Sequence, residues 1–257
     1  PALLEQAIQD RIAKGKTPKA IIPVHLYGMP AKINEIQTIA DKYGIAVIED
    51  AAEALGSYID GKMCGTYGTI SALSFNGNKI ITTSGGGALV AHSKELAQKA
   101  TFLATQARDA APHYEHSHIG YNYRMSNICA GIGRGQMEVL AKRVEQRRAI
   151  YNRYYYKMKN LKGVSFVDEP AGYFSNRWLT TILIDPASGI TRETLRLALE
   201  QDNIESRPLW KPMHLQPVFR NYPSYTNGTS EFLFENGLCL ASSSNITDEE
   251  RQKVVAE

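Results

Sequence analysis

The chain has 257 residues, of which 43% are hydrophobic, so it can bury a sizeable core in one or two domains. Its 29 basic and 26 acidic side chains leave a formal net charge of +3, which provides no general attraction to nucleic acid or to anionic membranes. No apolar run approaches the roughly 18 residues that a membrane-spanning helix needs. Because the three cysteines are scattered and the N-terminus has no signal-peptide pattern, we expect a protein of the reducing cytoplasm.

Helical and strand patterns alternate along the first half of the chain. The predicted helices cover residues 3–14, 33–43 and 94–107, and the predicted strands cover residues 20–24, 45–50, 69–75 and 87–91. This order predicts right-handed βαβ units around a mostly parallel sheet, whose ligands gather at the carboxyl ends of the strands. Asp50 closes a very apolar strand and is therefore expected at such an edge.

The second half of the chain begins with a polar loop at residues 108–123. Apolar residues then recur at spacings near 3.6, which predicts one long helix from about residue 125 to residue 159. We expect Arg143, Arg147 and Arg148 to occupy its solvated faces. Further strands are predicted at residues 164–167, 179–184 and 204–207, and helices at residues 192–202 and 248–255, capped by Thr191 and Thr247. Residues 1–145 are thus assigned to a large α/β domain, and residues 146–257 to a small α+β domain that the long helix joins to it.

A lysine, an acid and a serine stand in an order that indicates a pyridoxal phosphate site. Lys79 offers an amine that can bind an aldehyde, and Asp50 offers a carboxylate that can keep a pyridine nitrogen protonated. Ser74 offers a hydroxyl for the phosphate, and Glu53, one helical turn beyond Asp50, could face the same site. Each residue also has an ordinary interpretation: a solvated lysine, a capping or salt-bridging aspartate, a turn serine and a solvated glutamate.

Residues 207–214 form a second informative cluster. Two prolines hold this segment extended, so that Trp210 and His214 could face a sugar. Arg207 or Lys211 could then bind a carboxylate or a diphosphate. The alternative is a proline-rich connection in which Trp210 only packs.

Two other patterns are set aside. His113, His116 and His118 lie close in sequence, but their spacing is poor for a zinc site and no cysteine is near, so we expect no metal centre. The glycine-rich turn at residues 84–87 lacks the Gly-Lys-Ser/Thr ending of a phosphate-binding P-loop and is better explained as a tight turn.

Four segments together resemble the DegT/DnrJ/EryC1/StrS family of pyridoxal-phosphate-dependent nucleotide-sugar aminotransferases. These segments are Ile48-Glu49-Asp50-Ala51-Ala52-Glu53-Ala54-Leu55-Gly56-Ser57, Ser74-Phe75-Asn76-Gly77-Asn78-Lys79, Gly85-Gly86-Gly87-Ala88 and Gly120-Tyr121-Asn122-Tyr123-Arg124-Met125-Ser126-Asn127. The resemblance implies the α/β PLP-dependent transferase fold type I, with residues 1–145 as the C-terminal portion of the large PLP-binding domain. Because family members begin well before this chain does, it also implies a missing first strand, first helix and phosphate-binding Gly-Ser/Thr turn.

The resemblance also assigns roles residue by residue. Lys79 matches the lysine that holds the cofactor, Asp50 the acid at the pyridine nitrogen, and Ser74 the serine at the phosphate. Asn122 matches an asparagine that reaches the phosphate from the other subunit of a homodimer. Glu53 stands where many members carry Gln or His beside the ring hydroxyl, so its contact is less defined.

The implied reaction is transamination of a nucleotide-linked keto-sugar with L-glutamate as amino donor and Lys79 as the proton-transfer group. Residues 207–214 resemble those of 4-aminotransferases for UDP-4-keto-6-deoxy-N-acetylglucosamine, which would place His214 near the substrate. The alternatives are an aminotransferase for another keto-sugar (3-keto or dTDP-linked), a non-catalytic or regulatory cofactor-binding member, and an α/β binding module whose lysine is incidental. Lys79 argues against the dehydratase branch of the family, which replaces this lysine by histidine.

Overall fold

The computed structural model of the chain describes residues 1–256. Its helices are α1 (Ala2–Ala13), α2 (Ile33–Tyr43), α3 (Lys94–Ala104), α4 (Asn127–Glu138), α5 (Leu140–Met158), α6 (Arg192–Gln201), α7 (Thr229–Asn236) and α8 (Asp248–Ala256). Its strands are β1 (Ala20–Ile21), β2 (Ala46–Asp50), β3 (Tyr58–Ile59), β4 (Lys62–Met63), β5 (Ile70–Ser74), β6 (Gly87–Ala91), β7 (Val164–Phe166), β8 (Tyr173–Phe174), β9 (Thr180–Ile184), β10 (Arg207–Pro208) and β11 (Gly237–Leu240). Within the described residues, no helix combines the length and the apolar character that a membrane crossing requires.

The chain divides into two compact units. Residues 18–143 and 172–175 form the α/β unit, and residues 1–17, 144–171 and 176 onward form the C-terminal unit. The division predicted at residue 145 lies close to the boundary at residue 143. Helix α1 and the segment 172–175, however, each group with the unit that is distant in sequence. The assignment of two functional domains stays a prediction.

A four-stranded sheet organises the α/β unit in the order β1-β2-β5-β6. Strands β1, β2 and β5 are parallel, and β6 returns antiparallel to β5. Strand β1 is shorter than predicted because Pro23 has no N–H to donate to its neighbour. Its carbonyl still accepts from the Asp50 amide at 2.9 Å, so the chain continues along β2 as far as Asp50.

A small antiparallel sheet, β4-β3-β8, was not predicted from the sequence. Strands β3, β4 and β8 have two residues each, too few to show an alternating pattern. The Tyr58 and Phe174 rings stack at 4.4 Å between centroids, which ties the distant segment 172–175 to this sheet.

The single helix predicted from residue 125 to residue 159 is wrong: the structure has two helices that meet at Val139. The backbone of Val139 adopts φ −107° and ψ 5°, outside the α-helical region, which ends α4 before α5 begins. The apolar residues predicted to line one buried face also differ between the two helices. Ile128 is 78% exposed and Ile132 is 47% exposed, whereas Ile150 of α5 is buried.

An antiparallel sheet in the order β10-β11-β9-β7 forms the core of the C-terminal unit. Leu238 of β11 pairs with Ile182 of β9, and both side chains are fully buried. The strand predicted at residues 204–207 is shifted, since pairing with β11 begins only at Arg207. The predicted cap of α6 is confirmed, because the Thr191 hydroxyl accepts from the Thr194 amide at 3.0 Å.

The prediction that Arg147 lies on a solvated face of the helix is wrong. Its side chain is buried, and Nη1 donates to the carbonyl oxygens of Trp178, at 2.9 Å, and Ser242. Helical periodicity locates the apolar residues, but it does not show that a long guanidinium side chain can reach buried carbonyl groups.

Candidate active site

Asp50 lies at the carboxyl end of β2, as predicted. Its backbone is fixed on one side by the His25 amide, which donates to the Asp50 carbonyl at 3.1 Å. The Asp50 side chain is half-buried, and Oδ1 accepts from the amide of Ala52 at 3.1 Å. The carboxylate is therefore held at the edge of the sheet by the turn that follows the strand.

Ser74 lies at the carboxyl end of the neighbouring strand. Asp50 pairs with Ala72 in the parallel ladder, so Ser74 is two residues further along the adjacent strand β5. Its hydroxyl accepts from the Asn76 amide at 3.3 Å, at the start of the loop that carries Lys79. Two of the predicted site residues thus share the edge at which ligands of α/β sheets bind.

Lys79 is not a solvated surface lysine. Its side chain is 13% exposed, and Nζ lies 3.7 Å from Oε1 of Glu53. The loop around it is closed by two backbone hydrogen bonds, from Phe75 to Gly86 at 3.0 Å and from Thr83 to Phe75 at 2.9 Å. This closed loop places the amine in a mostly buried position next to a carboxylate.

Glu53 is the residue whose contact the resemblance left least defined. Its side chain is 13% exposed. While Oε1 faces Lys79, Oε2 accepts from the backbone amide of Tyr27 at 2.6 Å. Tyr27 has φ 56° and ψ 18°, the left-handed conformation that costs a non-glycine residue about 1–3 kcal/mol.

Asn122 is not joined to this group. It lies in an exposed loop and pairs as an isolated bridge with Thr105, and the rings of its two sequence neighbours, Tyr121 and Tyr123, stack on each other at 4.9 Å between centroids. Within residues 1–256, no hydrogen bond joins its side chain to Asp50 or Lys79. Its predicted role from a second subunit stays a prediction.

The four residues predicted to contact substrate all belong to the C-terminal unit. Arg207 donates from Nε to Glu205 Oε1 at 2.8 Å, and His214 Nε2 lies 2.8 Å from Glu231 Oε1. The Trp210 ring tilts against Trp178 at 6.4 Å between centroids and is 38% exposed. The Lys211 carbonyl accepts from Gln216 Nε2 at 3.4 Å. Their substrate contacts stay predictions.

A buried cluster of His25, Glu49 and Cys64 escaped the sequence analysis. Their side-chain ligand atoms lie within 4.8 Å of one another, the kind of group that can hold a metal ion. Both ring nitrogens of His25 are, however, engaged: Nε2 lies 2.7 Å from Glu49 Oε1, and Nδ1 accepts from the Ala31 amide at 2.9 Å. Burial and the Glu49 charge raise the pKa of the Cys64 thiol to about 12, so the thiol holds its proton at neutral pH. His25 and Glu49 of this cluster are therefore engaged in hydrogen bonds with the protein.

His113, His116 and His118, which the sequence analysis did not assign to a metal site, have separate hydrogen-bond partners. His113 Nε2 lies 2.9 Å from Glu115, His116 Nδ1 lies 2.9 Å from the Gln106 carbonyl, and His118 Nδ1 lies 2.9 Å from the Ser117 hydroxyl. This geometry turns the rings to different neighbours instead of to a common centre.

A cavity of about 380 Å³ in the α/β unit lies beside helix α4, and apolar atoms dominate its lining. Phe75, Ile81, Thr83 and Met125 are among the residues around it, whereas Asp50 and Lys79 are not. Of the lining residues, Phe75 directly follows Ser74 in the chain.

The donor set at the sheet edge fits pyridoxal phosphate. A mostly buried amine can bind the cofactor aldehyde, a carboxylate at a strand end can pair with the pyridine nitrogen, and a hydroxyl can reach the phosphate. Lys79, Asp50 and Ser74 are the residues that would take these parts. The arrangement does not fit an incidental surface lysine.

Comparison with known proteins relates the chain to sugar aminotransferases. EpsN of Bacillus subtilis (strain 168), which has the provisional description of a pyridoxal phosphate-dependent aminotransferase, is 50% identical over 99% of this chain and 66% of its own length. The GDP-perosamine synthase of Vibrio cholerae is 36% identical over 87% of this chain and 61% of its own length. The crystal structure of a DegT DnrJ EryC1 StrS aminotransferase from Brucella abortus is 31% identical with a TM-score of 0.89, and the match covers 99% of this chain and 68% of that one.

The chain spans 66% and 61% of the lengths of these two curated relatives, somewhat under two thirds. The structural match nevertheless confirms the predicted fold class, the PLP-dependent transferase fold type I. The predicted cofactor agrees with the family and with the description of EpsN. The sequence model of the DegT/DnrJ/EryC1/StrS aminotransferase family matches residues 1–257, and the chain belongs to this family.

Proposed function

We propose that the protein is a PLP-dependent aminotransferase that moves an amino group from L-glutamate to a nucleotide-linked keto-sugar. The observation that carries this proposal is the Lys79 amine, mostly buried and 3.7 Å from Glu53, in the loop that follows the strand end at Ser74. Asp50 lies at the end of the adjacent strand. The family and the named relatives support a sugar as the amino acceptor.

Each residue has a defined part in this chemistry. The bound cofactor supplies an electron sink for the electrons left when a substrate carbon loses its proton. The Asp50 carboxylate would hold the proton on the pyridine nitrogen, which that sink requires. Lys79 Nζ would act as general base, taking the proton from the substrate carbon, and then as general acid, giving it back. The Ser74 hydroxyl would be the donor to the phosphate.

The first keto-sugar to test is UDP-4-keto-6-deoxy-N-acetylglucosamine, because residues 207–214 resemble those of enzymes acting on it. His214, Trp210, Arg207 and Lys211 are the proposed contacts to the sugar and its diphosphate. The relative named GDP-perosamine synthase supports a GDP-linked keto-sugar as the second candidate. A 3-keto-sugar and a dTDP-linked keto-sugar complete the set.

The test follows the cofactor's visible absorbance in the purified protein. L-Glutamate should remove the band, and the correct keto-sugar should restore it with formation of an amino-sugar. Lys79→Ala should abolish both changes, while Lys94→Ala, an exposed lysine at the start of α3, should change neither. No response of the wild-type band to glutamate would favour a regulatory cofactor-binding protein. No visible band with pyridoxal phosphate would favour an incidental lysine.

We infer further that the protein works as a cytoplasmic homodimer in which Asn122 serves the partner's site. The exposed apolar side chains of Ile128, Ile132 and Met137 on α4 support a surface that pairs with another chain. No disulfide joins Cys64, Cys129 and Cys239, which favours a reducing compartment.

A further inference from the structure

Two fully buried side chains of the α/β unit, His25 and Glu49, have no part in the proposed chemistry. Their atoms Nε2 and Oε1 are 2.7 Å apart, and both side chains are 0% exposed. Glu49 accepts five hydrogen bonds in all, from the His25 ring, the amides of Gly65, Tyr67 and Gly68, and the Ser71 hydroxyl. A buried carboxylate with so many donors is ionised and rigidly held.

The hydrogen bonds of His25 define its tautomer. Because the Ala31 amide donates to Nδ1, that nitrogen carries no proton, and Nε2 carries the one that it donates to Glu49. The ring is thus neutral and fixed at both nitrogens. It clamps the start of the turn Leu26–Gly28 to strand β2.

The other end of this turn is fixed as well. The buried Ser57 hydroxyl donates to the Gly28 carbonyl at 2.7 Å. Between the two anchors, Tyr27 is held in the left-handed region at φ 56°, a conformation that persists only where the surroundings impose it. Its amide consequently donates to Glu53 Oε2 at 2.6 Å, while Glu53 Oε1 lies 3.7 Å from Lys79 Nζ.

We propose that the buried His25–Glu49 pair is a positioning device, which fixes the strained Tyr27 turn and thereby holds the Glu53 carboxylate against the Lys79 amine. Glu53 is then the contacting residue, and His25 and Glu49 act through it. The proposal rests on the proposed function, because the placement matters only if Lys79 holds the cofactor.

The position of the Glu53 carboxylate should affect the charge on the Lys79 nitrogen, and this effect can be measured. A carboxylate beside the Lys79 nitrogen stabilises positive charge there. Removing it should lower the pH midpoint at which the visible band of the bound cofactor titrates. Displacing the carboxylate by loosening the turn should lower the midpoint in the same direction, but by less.

The experiment loads the wild-type protein and its variants with pyridoxal phosphate and compares the pH midpoints at which their visible bands titrate. Glu53→Gln should lower the midpoint by about 1 pH unit, and His25→Phe should lower it by a fraction of that. In the Glu53→Gln background, His25→Phe should add nothing, since the charge that it displaces is gone. Ser57→Ala, which removes the second anchor with little change in volume, should reproduce the effect if His25→Phe does not fold.

Ala40→Gly is the matched control. Ala40 is buried in helix α2, and among residues 1–256 its hydrogen bonds do not include one to the turn, so this variant loosens the same unit without moving the midpoint. The positioning role would be overturned if the His25 and Ser57 variants had the same pH midpoint as the wild type. It would also be overturned if the His25→Phe shift persisted in the Glu53→Gln background. Failure of the wild-type protein to form a visible band would instead remove the proposed function itself.

Discussion

Glu49 shows how strongly one side chain can depend on its hydrogen bonds. Burial alone would raise the pKa of Glu49, but the hydrogen bonds from His25 and from the amides of Gly65, Tyr67 and Gly68 outweigh it and lower the pKa to about 2. A carboxyl whose pKa is lower in the folded than in the unfolded state stabilises the fold above its unfolded pKa. That contribution is lost as the pH falls toward the folded value.

We therefore predict that the free energy of unfolding falls between about pH 4.5 and pH 2, by roughly 3 kcal/mol from this group. Glu49→Gln should be less stable at pH 7 and should show a shallower pH dependence over that range. Urea unfolding of both proteins at a series of pH values measures the difference. Parallel curves for the two proteins would show that Glu49 does not carry this dependence.

Single residues were predicted from the sequence only where a motif marks them. Lys79, Asp50 and Ser74 stand at recognisable places on an α/β pattern, and the structure brings Lys79 to Glu53 and puts Asp50 and Ser74 at one sheet edge. His25 and Glu49 are 24 residues apart and belong to no pattern of spacing. The one sequence signal for this pair was Glu49 itself, because a glutamate inside a very apolar strand requires a buried partner.

At the scale of elements, helix α4 shows the limit of periodicity. The spacing of apolar residues continues through Val139, so it cannot reveal that one residue leaves the helical conformation. Three glycines, Gly131, Gly133 and Gly135, also weaken α4 relative to α5. Whether a helix continues depends on backbone energies of about 1 kcal/mol per residue, which a pattern of side chains does not report.

The glycines of α4 provide a matched pair of substitutions. A Cβ at Gly135 would meet no atom within 4 Å, so Gly135→Ala should stabilise the protein by about 0.5–1 kcal/mol. A Cβ at Gly133 would approach Thr83 Cγ2 to 2.9 Å, and Thr83 is 1% exposed and held by hydrogen bonds to the carbonyls of Phe75 and Gly85. Gly133→Ala should therefore destabilise the protein by about 1 kcal/mol or more. Urea midpoints at one protein concentration measure both changes, and equal midpoints would contradict the clash at Thr83.

At the scale of the whole molecule, the predicted elements included the strands of the main sheet, because β2 and β5 are apolar runs separated by turn signals. The long-range pairings were not predicted. Segment 172–175 supplies β8 to a sheet whose other strands lie at residues 58–63, and a two-residue strand has no pattern that names its partner. Tyr58 and Phe174 show the reason, since ring stacking between distant residues depends on the folded chain.

The assembly of the protein can be tested through Asn122. If Asn122 serves the partner's site, each site combines Lys79 of one subunit with Asn122 of the other. Mixing inactive Lys79→Ala subunits with impaired Asn122→Ala subunits should then create heterodimers with one intact site. With random exchange, half of the dimers are mixed, and about a quarter of the wild-type activity should return.

A mixture of Lys79→Ala with Asp50→Asn is the matched control, because both residues belong to the same subunit's site and no intact site can form. Glutamate-dependent loss of the cofactor band, followed after subunit exchange has been confirmed by mass, measures the recovery. Recovery in the first mixture but not in the second would require a shared site. Equal behaviour of the two mixtures would place Asn122 outside the partner's site, and the exposed apolar face of α4 would then need an explanation other than a catalytic dimer.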